Sequence, residues 1–371
     1  MSANLFKPLQ LGPYRLAHRV VMAPLTRMRA GQPGNVPTAL NVEYYRQRAS
    51  AGGLIIAEGS QISPLAQGMP ATPGIHSAGQ IAGWKAVTAA VHAKGGLIFL
   101  QLWHCGRISH SSQHPNEGLP VAPSAIAAKG EAFTAAFTRV PFETPRALGT
   151  DELPGLIGEY RQAARNAREA GFDGVEIHGA NGYLLEQFLQ SRINRRQDAY
   201  GGSIDNRTRL PFEVAEAVAG VLGPDRVGIR LSPFGIANDT GEDDPMPLYG
   251  HLIQRLATLR LGYLHLVEPR ASGAGQAEVD HKNVPSASEL FRPMWPGMLI
   301  AAGNYKADSA EAAVAAGTAD AVAFGRFFIA NPDLPERLRR GAPLNPYNRA
   351  TFYGGGAEGY TDYPALEATD A

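Results

Sequence analysis

The sequence predicts an α/β fold of the (β/α)8 TIM-barrel class, with a capping insertion after the third strand. Three observations carry this. First, the chain holds a series of short apolar runs: VVMAPL (20–25), LIIAEG (54–59), LIFLQLW (97–103), GVEIHG (174–179), RVGIRLSP (226–233), YLHLVEP (263–269), MLIAAGN (298–304) and AVAFGR (321–326). Second, the segments between them have helical spacing, which implies parallel strands joined by helical crossovers. Third, the runs are continuously apolar rather than alternating, as expected of strands covered on both faces.

The helical reading rests on particular positions. Ile81, Trp84, Val87 and Val91 recur at intervals of three and four, and so do Leu153, Leu156, Ile157, Tyr160, Ala164 and Ala167. The second of these segments opens at Thr150-Asp151, an N-cap candidate. A barrel needs roughly 250 residues, so the 371-residue chain carries sizeable insertions. The longest, about 107–149 and rich in Ser, Pro, Ala and Gly, reads as a cover over the barrel mouth within one domain spanning 1–371. An open doubly wound sheet fits less well, because no G-x-G-x-x-G follows the first strand.

Composition excludes several functions. Lys+Arg and Asp+Glu stand at 34 each, so no net field favours nucleic acid or an anionic membrane. The longest apolar runs fall far short of the ~20 residues that span a bilayer. MSANLFKPLQ lacks the basic start and apolar stretch of a secretory signal. Cys105 is the one cysteine, which excludes intrachain disulfides and thiolate metal cages. A cytoplasmic protein is expected, as a monomer or small homo-oligomer.

Barrels of this class place their chemistry at the C-terminal strand ends. Those ends offer Pro24-Leu25-Thr26, Glu58-Gly59, Gln101 with Trp103 and His104, His178 with Asn181 and Tyr183, Arg230, Glu268, Gly303-Asn304 and Gly325-Arg326. Taken singly, Gln101 or Thr26 reads as a polar residue meeting water. Together they converge on one mouth. The glycine turns after the last two strands, with Arg326 beside them, suit a phosphate. Arg230 either pairs with a carboxylate such as Glu176 or faces an anionic ligand.

Several segments together resemble the old yellow enzymes, the FMN-dependent ene-reductases. They are MAPLTRMR (22–29), QLWHCGRISH (101–110), EIHGANGYLLEQFL (176–189), DAYGGSIDNRTR (198–209), RLSPFG (230–235) and FGRFFIANPDL (324–334). They run through the chain in the family's order, from near residue 5 to about 350. The resemblance implies FMN at the mouth of a (β/α)8 barrel. It implies that Pro24, Leu25, Thr26 and Gly59 lie beside the flavin ring, with the Thr26 hydroxyl donating to it. Gln101 would hold the pyrimidine edge, and Arg230 would offset the charge of the reduced ring. Gly303, Asn304, Gly325 and Arg326 would cradle the phosphate.

It further implies that His178 and Asn181 donate to the oxygen of an activated alkene, and that Tyr183 gives a proton to carbon as general acid. NADPH or NADH would reduce the flavin in a ping-pong cycle, and small activated alkenes would reoxidise it. Trp103, Met69 and Tyr353 are candidate walls of the substrate pocket.

The chain departs from the family pattern at three places. Met69 replaces an aromatic residue, Ala237 a phenylalanine, and no tryptophan stands near Arg270-Ala271. A roomier pocket follows. Cys105, close to the site, reads as a small buried residue rather than a redox group. The rival classes are a metal-dependent barrel hydrolase and a non-catalytic ligand-binding barrel. The first is disfavoured because no strand carries His-x-His and the mouth is rich in amides, hydroxyls and arginine. No metal is expected. A Schiff-base aldolase needs a strand-end lysine, and the nearest, Lys306, lies in a loop.

Overall fold

The computed structural model describes residues 3–269 and 285–366. Each predicted apolar run contains a strand of one closed parallel barrel: β1 (Val20–Met22), β2 (Leu54–Gln61), β3 (Leu97–Trp103), β4 (Gly174–Gly179), β5 (Val227–Leu231), β6 (Tyr263–Val267), β7 (Met298–Ala302) and β8 (Ala321–Phe324). The strands pair in sequence order, and Val322 opposite Val20 closes β8 onto β1. The helices are α1 (Ala39–Arg48), α2 (Ala78–His92), α3 (Leu153–Glu169), α4 (Leu184–Leu189), α5 (Ile204–Leu222), α6 (Pro245–Ala257), α7 (Ala287–Phe291), α8 (Ala307–Ala315), α9 (Arg326–Ala330) and α10 (Leu334–Arg340). Among the described residues no helix is long and apolar enough to cross a membrane.

Alternate residues of the strands feed two cores. Val20, Ile55, Ile98, Val175 and Leu264 pack outward against the helices, with Trp84 and Val87 of α2 and Leu156 and Tyr160 of α3. Val21, Leu54, Ile56, Phe99, Tyr263 and Ile300 fill the barrel interior, and the N-terminal hairpin adds Leu11 and Leu16 to that core. This double burial is why no strand alternates with polar residues. Large and small residues interlock inside: a Cβ on Gly228 would lie 2.1 Å from the Tyr263 ring, so only glycine admits that ring.

The start of α3 differs from the expected cap. The helical run begins with a 3₁₀ turn over Thr150–Glu152, and the Glu152 carboxylate accepts the Gly149 N–H at 2.7 Å. The Thr150 hydroxyl is instead bonded to Asp198. The cap is supplied from three residues inside, as in a capping box.

The segment between β3 and α3 is not plain loop. Val121–Ala122 pairs with Arg146–Ala147, and Glu131–Phe133 forms a hairpin with Arg139–Pro141. Its root is the buried Arg107, whose guanidinium donates to the carbonyls of Ile126, Ala127 and Asp239, the last in the loop after β5. The C-terminal segment is fastened in a similar way. Arg27 and Arg29, buried after β1, donate to the carbonyls of Thr351, Phe352, Gly356, Glu358 and Gly359. The Arg27 guanidinium also lies 5.0 Å from the Tyr360 ring centre. The Arg27 and Arg29 forks are held mainly by backbone oxygens, as a buried guanidinium requires, while Arg107 uses both terminal nitrogens in this way and leaves its Nε without a partner.

Candidate active site

One cavity opens at the C-terminal ends of the strands. Pro24, Leu25 and Thr26 border it after β1, Gln101 and Trp103 at the end of β3, and Arg230 on β5. His178, Asn181 and Tyr183 come from β4 and its loop, Gly303 and Asn304 from after β7, and Gly325 and Arg326 from after β8. Met69, Ala237 and Tyr353 complete the wall from loops. Of the predicted site residues, Gly59 alone is not brought to the cavity. It sits in a bulge of β2 between Ala57 and Ser60, where a Cβ would lie 2.8 Å from the Trp103 ring. Glycine there makes room for that indole.

The loop after β4 is built to present side chains. Asn181 takes a left-handed φ of 56°, which asparagine tolerates. Its N–H donates to Ser232 Oγ at 2.8 Å and its carbonyl accepts from Asn238 Nδ2 at 2.8 Å. With the backbone held, the carboxamide is turned to the cavity and makes no hydrogen bond among the described residues. Gly182 follows at φ 81°, where a Cβ would meet the Ala237 carbonyl at 2.7 Å. Tyr183 then lies edge-on to Trp103, ring centres 4.9 Å apart, and 5.2 Å from the His178 ring.

Electrostatics fixes the protonation of two of these groups. Burial, reinforced by the charges of Arg230 and His265, pulls His178 well below the usual imidazole range. His178 is therefore neutral at physiological pH, a hydrogen-bond donor through one nitrogen only. Its Nδ1 is buried without a partner. Burial pushes the Tyr183 phenol up, with Cys105 and Tyr353 adding to the effect, so the phenol keeps its proton.

Arg230 stands opposite His178 in the β4–β5 register. Its Nε is buried without a partner, and no carboxylate forms an ion pair with it among the described residues. The expected candidate, Glu176, is engaged elsewhere. Its Oε1 accepts from Gln101 Nε2 at 2.8 Å and its Oε2 lies 2.8 Å from His265 Nδ1. Burial alone would raise the Glu176 pKa, but His265, Arg230 and Gln101 outweigh it and hold the carboxyl below its ordinary value.

Strands β7 and β8 close the far side of the barrel from β4. There Gly303 has φ 135° and Asn304 φ 52°, and Arg326 Nη2 donates to Asn304 Oδ1 at 3.2 Å. Sequence reasoning did not anticipate Asn238, Tyr347 or Phe352 in the wall. They arrive from loops whose approach to the mouth leaves no local pattern. Glu58 and Glu268 end strands as expected but turn away from the cavity: Glu58 accepts the Arg27 N–H at 3.1 Å, and Glu268 caps α7 through Ser286, Ala287 and Ser288. Arg270-Ala271, where a missing tryptophan was noted, lie outside the described residues.

A polar mouth at the strand ends of a closed parallel barrel is the setting of an enzyme site, and comparison with known proteins gives the class, a flavin-binding oxidoreductase. The sequence profile described as the NADH:flavin oxidoreductase / NADH oxidase family matches residues 4–345. 12-oxophytodienoate reductase 1 of Oryza sativa subsp. japonica is 49% identical over 370 residues, covering 99% of this chain and 94% of that protein. 12-oxophytodienoate reductase 2 of Arabidopsis thaliana is 44% identical over 370 residues, covering 99% and 97%. A solved structure of morphinone reductase in complex with tetrahydroNAD superposes with a TM-score of 0.92 at 52% identity, covering 98% of each chain. The chain belongs to the NADH:flavin oxidoreductase / NADH oxidase family, the old yellow enzymes.

FMN is the cofactor of this family, with a nicotinamide nucleotide as reductant. The residues present fit it. Arg230 offers a cation with an orphaned N–H, Thr26 a hydroxyl without a protein partner among the described residues, and Gly303, Gly325 and Arg326 a turn-and-cation setting for the phosphate.

Proposed function

We propose that this flavin oxidoreductase reduces activated carbon–carbon double bonds: α,β-unsaturated carbonyls, maleimides and nitroalkenes. The observation that carries the reading is the convergence of His178 and Asn181, two donors without protein partners, beside a protonated and immobilised Tyr183. When bound, FMN supplies the two-electron transfer, accepting reducing equivalents from NADPH or NADH and passing them to the alkene.

The chain's own residues supply the rest. His178 and Asn181 each donate to the oxygen conjugated with the alkene, where negative charge builds up. The Asn181 backbone is held before substrate arrives, and preorganisation of this kind is what makes such stabilisation effective. The neutral state of His178 suits a donor that must not lose its proton to the product. Tyr183 delivers a proton to the α-carbon as general acid. Arg230 and Thr26 hold the cofactor ring, Gln101 its edge in the orientation Glu176 imposes, and Gly303, Asn304, Gly325 and Arg326 its phosphate. Pro24, Leu25 and Gly59 are packing positions around the ring, with Gly59 acting through Trp103. Met69, Trp103 and Tyr353 bound the substrate.

Residues 107–149 act as a cover over the mouth within a single domain. The anchoring of Arg107 on the loop after β5 supports this, as does the packing of Ile108 and Ala128 with Trp103 and Tyr183. Relatives named for reduction of 12-oxophytodienoate and of morphinone support an organic, carbonyl-bearing acceptor.

The test is to reduce the holoenzyme anaerobically with NADPH or NADH, add cyclohexenone, and analyse the products. Stoichiometric cyclohexanone with reoxidised flavin is expected. Reoxidation by oxygen alone, with the enone recovered unchanged, rules the reading out.

A further inference from the structure

Glu186 is the most deeply buried carboxylate near the site that the reaction leaves unused. It sits on α4, the short helix after the β4 loop, with no exposed surface. Its Oε2 accepts the Gly182 N–H at 2.5 Å. Its Oε1 accepts the hydroxyls of Ser232 and Tyr249, each at 2.7 Å. The Ser232 oxygen in turn accepts the Asn181 N–H at 2.8 Å. Two consecutive peptide N–H groups, those of Asn181 and Gly182, thus end on this one carboxylate, the first through a hydroxyl and the second directly. The neighbouring Gln187 takes the other side of the same peptide run: its Nε2 donates to the Gly182 carbonyl at 2.8 Å.

We propose that Glu186 is a positioning residue for the oxygen-binding pair and the proton donor, its carboxylate fixing the backbone from which the Asn181 carboxamide and the Tyr183 phenol project. The proposal rests on the roles given above to Asn181 and Tyr183.

The physical argument is one of acceptors. A carboxylate has lone pairs for all three donors, and an ionised acceptor roughly doubles the strength of each bond. A proton on Oε2 would oppose the Gly182 N–H. A proton on Oε1 would turn the Ser232 or Tyr249 hydroxyl from donor to acceptor, and the neutral acid would be the weaker acceptor for the bonds that remain. Protonation therefore loosens the hold on the loop whichever oxygen takes it. Burial raises the pKa of Glu186 to about 7, against the pull of Ser232, Tyr249 and Gly182. Few charged groups face it. Tyr249 comes from α6, and beyond Tyr249 lies Glu242, which Arg207 engages at 3.1 Å. No cation forms an ion pair with Glu186 among the described residues. The loop is thereby tied to a group that changes charge near neutral pH.

The experiment uses FMN-loaded enzyme and 4-methylphenol, which imitates an enolate oxygen and stays un-ionised below about pH 9. Its dissociation constant is followed by the flavin spectrum from pH 5.5 to 8.5. In the parent, binding is expected to weaken about tenfold on acidification, the worth of one hydrogen bond to a charged group, with a midpoint near pH 7. Glu186→Gln is expected to bind weakly at every pH and to lose the midpoint, with FMN content unchanged. Glu58, whose carboxyl burial also raises to about 7, is intact in that variant, so loss of the midpoint assigns it to Glu186. Should Glu186→Gln fail to fold, Glu186→Asp is read instead: a retained midpoint with weaker binding supports the proposal. Parent-like affinity and pH profile in whichever variant is read overturns it. Asn181→Ala is the control. If that variant also binds like the parent, the reading of the site falls and this inference with it. If Asn181→Ala binds weakly while the Glu186 variant does not, this inference alone is lost.

Discussion

Glu176 and Arg230 carry opposite charges on adjacent strands of the barrel, yet they form no ion pair. The Glu176 oxygens are taken by Gln101 and His265, and the guanidinium is left facing the cavity with its Nε unpartnered. A buried charge without an ion-pair partner is costly. The cost is recovered when an anionic ligand occupies the cavity. Reduced FMN is such a ligand.

Arg230→Met should accordingly weaken retention of FMN and lower the potential of the bound flavin. A loss of about 1.4 kcal/mol in favour of the reduced form corresponds to about 30 mV for a two-electron couple, and a fall of at least this size is expected. Anaerobic dye-equilibration titration measures it. A potential that is unchanged or more positive contradicts the role given to Arg230.

The response of stability to pH follows from groups buried away from their ordinary protonation. Burial, with a push from Arg339, lowers His18 to about 4, and burial lowers His104 to about 3. Each contributes stability above pH 6.5 that is lost as pH falls toward the folded value, because the unfolded chain takes up a proton that the native one refuses. Glu58 and Glu186, raised to about 7, act in the opposite sense. Their stabilisation is complete below pH 4.5 and lost as pH rises through 7. The two pairs offset each other between pH 7 and about 5. Below that the carboxyls have finished and the histidines have not. Thermal unfolding is expected to change little from pH 7 to about 5 and then to fall steeply. His104→Gln should move the steep part to lower pH, and an unmoved profile would count against the assignment to His104.

The fold was legible because every barrel strand is buried on both faces. That produces unbroken apolar runs such as LIFLQLW, and the strand ends then mark the cavity rim. Thr26, Gln101, His178 and Arg230 were visible for that reason. What was not visible depends on contacts across the chain. Nothing local to Phe352 or Tyr347 announces that Arg27 and Arg29 draw their segment to the mouth. Nothing local to Glu186 announces Ser232 and Tyr249. A specific motif need not reach the cavity. DAYGGSIDNRTR is among the most specific stretches, yet Asp198 is occupied by Arg196 and the Tyr200 N–H, and Arg207 by the Gly202 carbonyl and Glu242. It closes the loop between α4 and α5 and does not reach the cavity.

Gly228→Ala tests the interlocking inside the barrel. The new methyl would stand 2.1 Å from the Tyr263 ring, which has no exposed surface and no room to retreat. Overpacking of this kind costs about 1–3 kcal/mol, read as a lower midpoint in urea. Tyr263→Leu in the same chain should restore part of the loss. Unchanged stability in Gly228→Ala would mean that the ring is less confined than the packing indicates.

Tyr183→Phe separates the proton donor from its neighbours. The substitution keeps the ring that packs edge-on to Trp103 and removes one hydroxyl. Reduction of the enzyme by NADPH or NADH needs no proton at a substrate carbon, so that half-reaction should survive nearly intact. Reoxidation by cyclohexenone should slow by roughly 10²–10⁴-fold, the usual worth of a positioned general acid. Nitroalkenes should suffer less, since their reduced anion is stable enough to leave and be protonated by water. His178→Ala and Asn181→Ala should show no such split, because both residues are placed to hold the oxygen of either substrate. Rapid-mixing kinetics of the two half-reactions decides it. Equal slowing of both in Tyr183→Phe, or full activity on the enone, makes the phenol a wall of the pocket and puts the acid elsewhere.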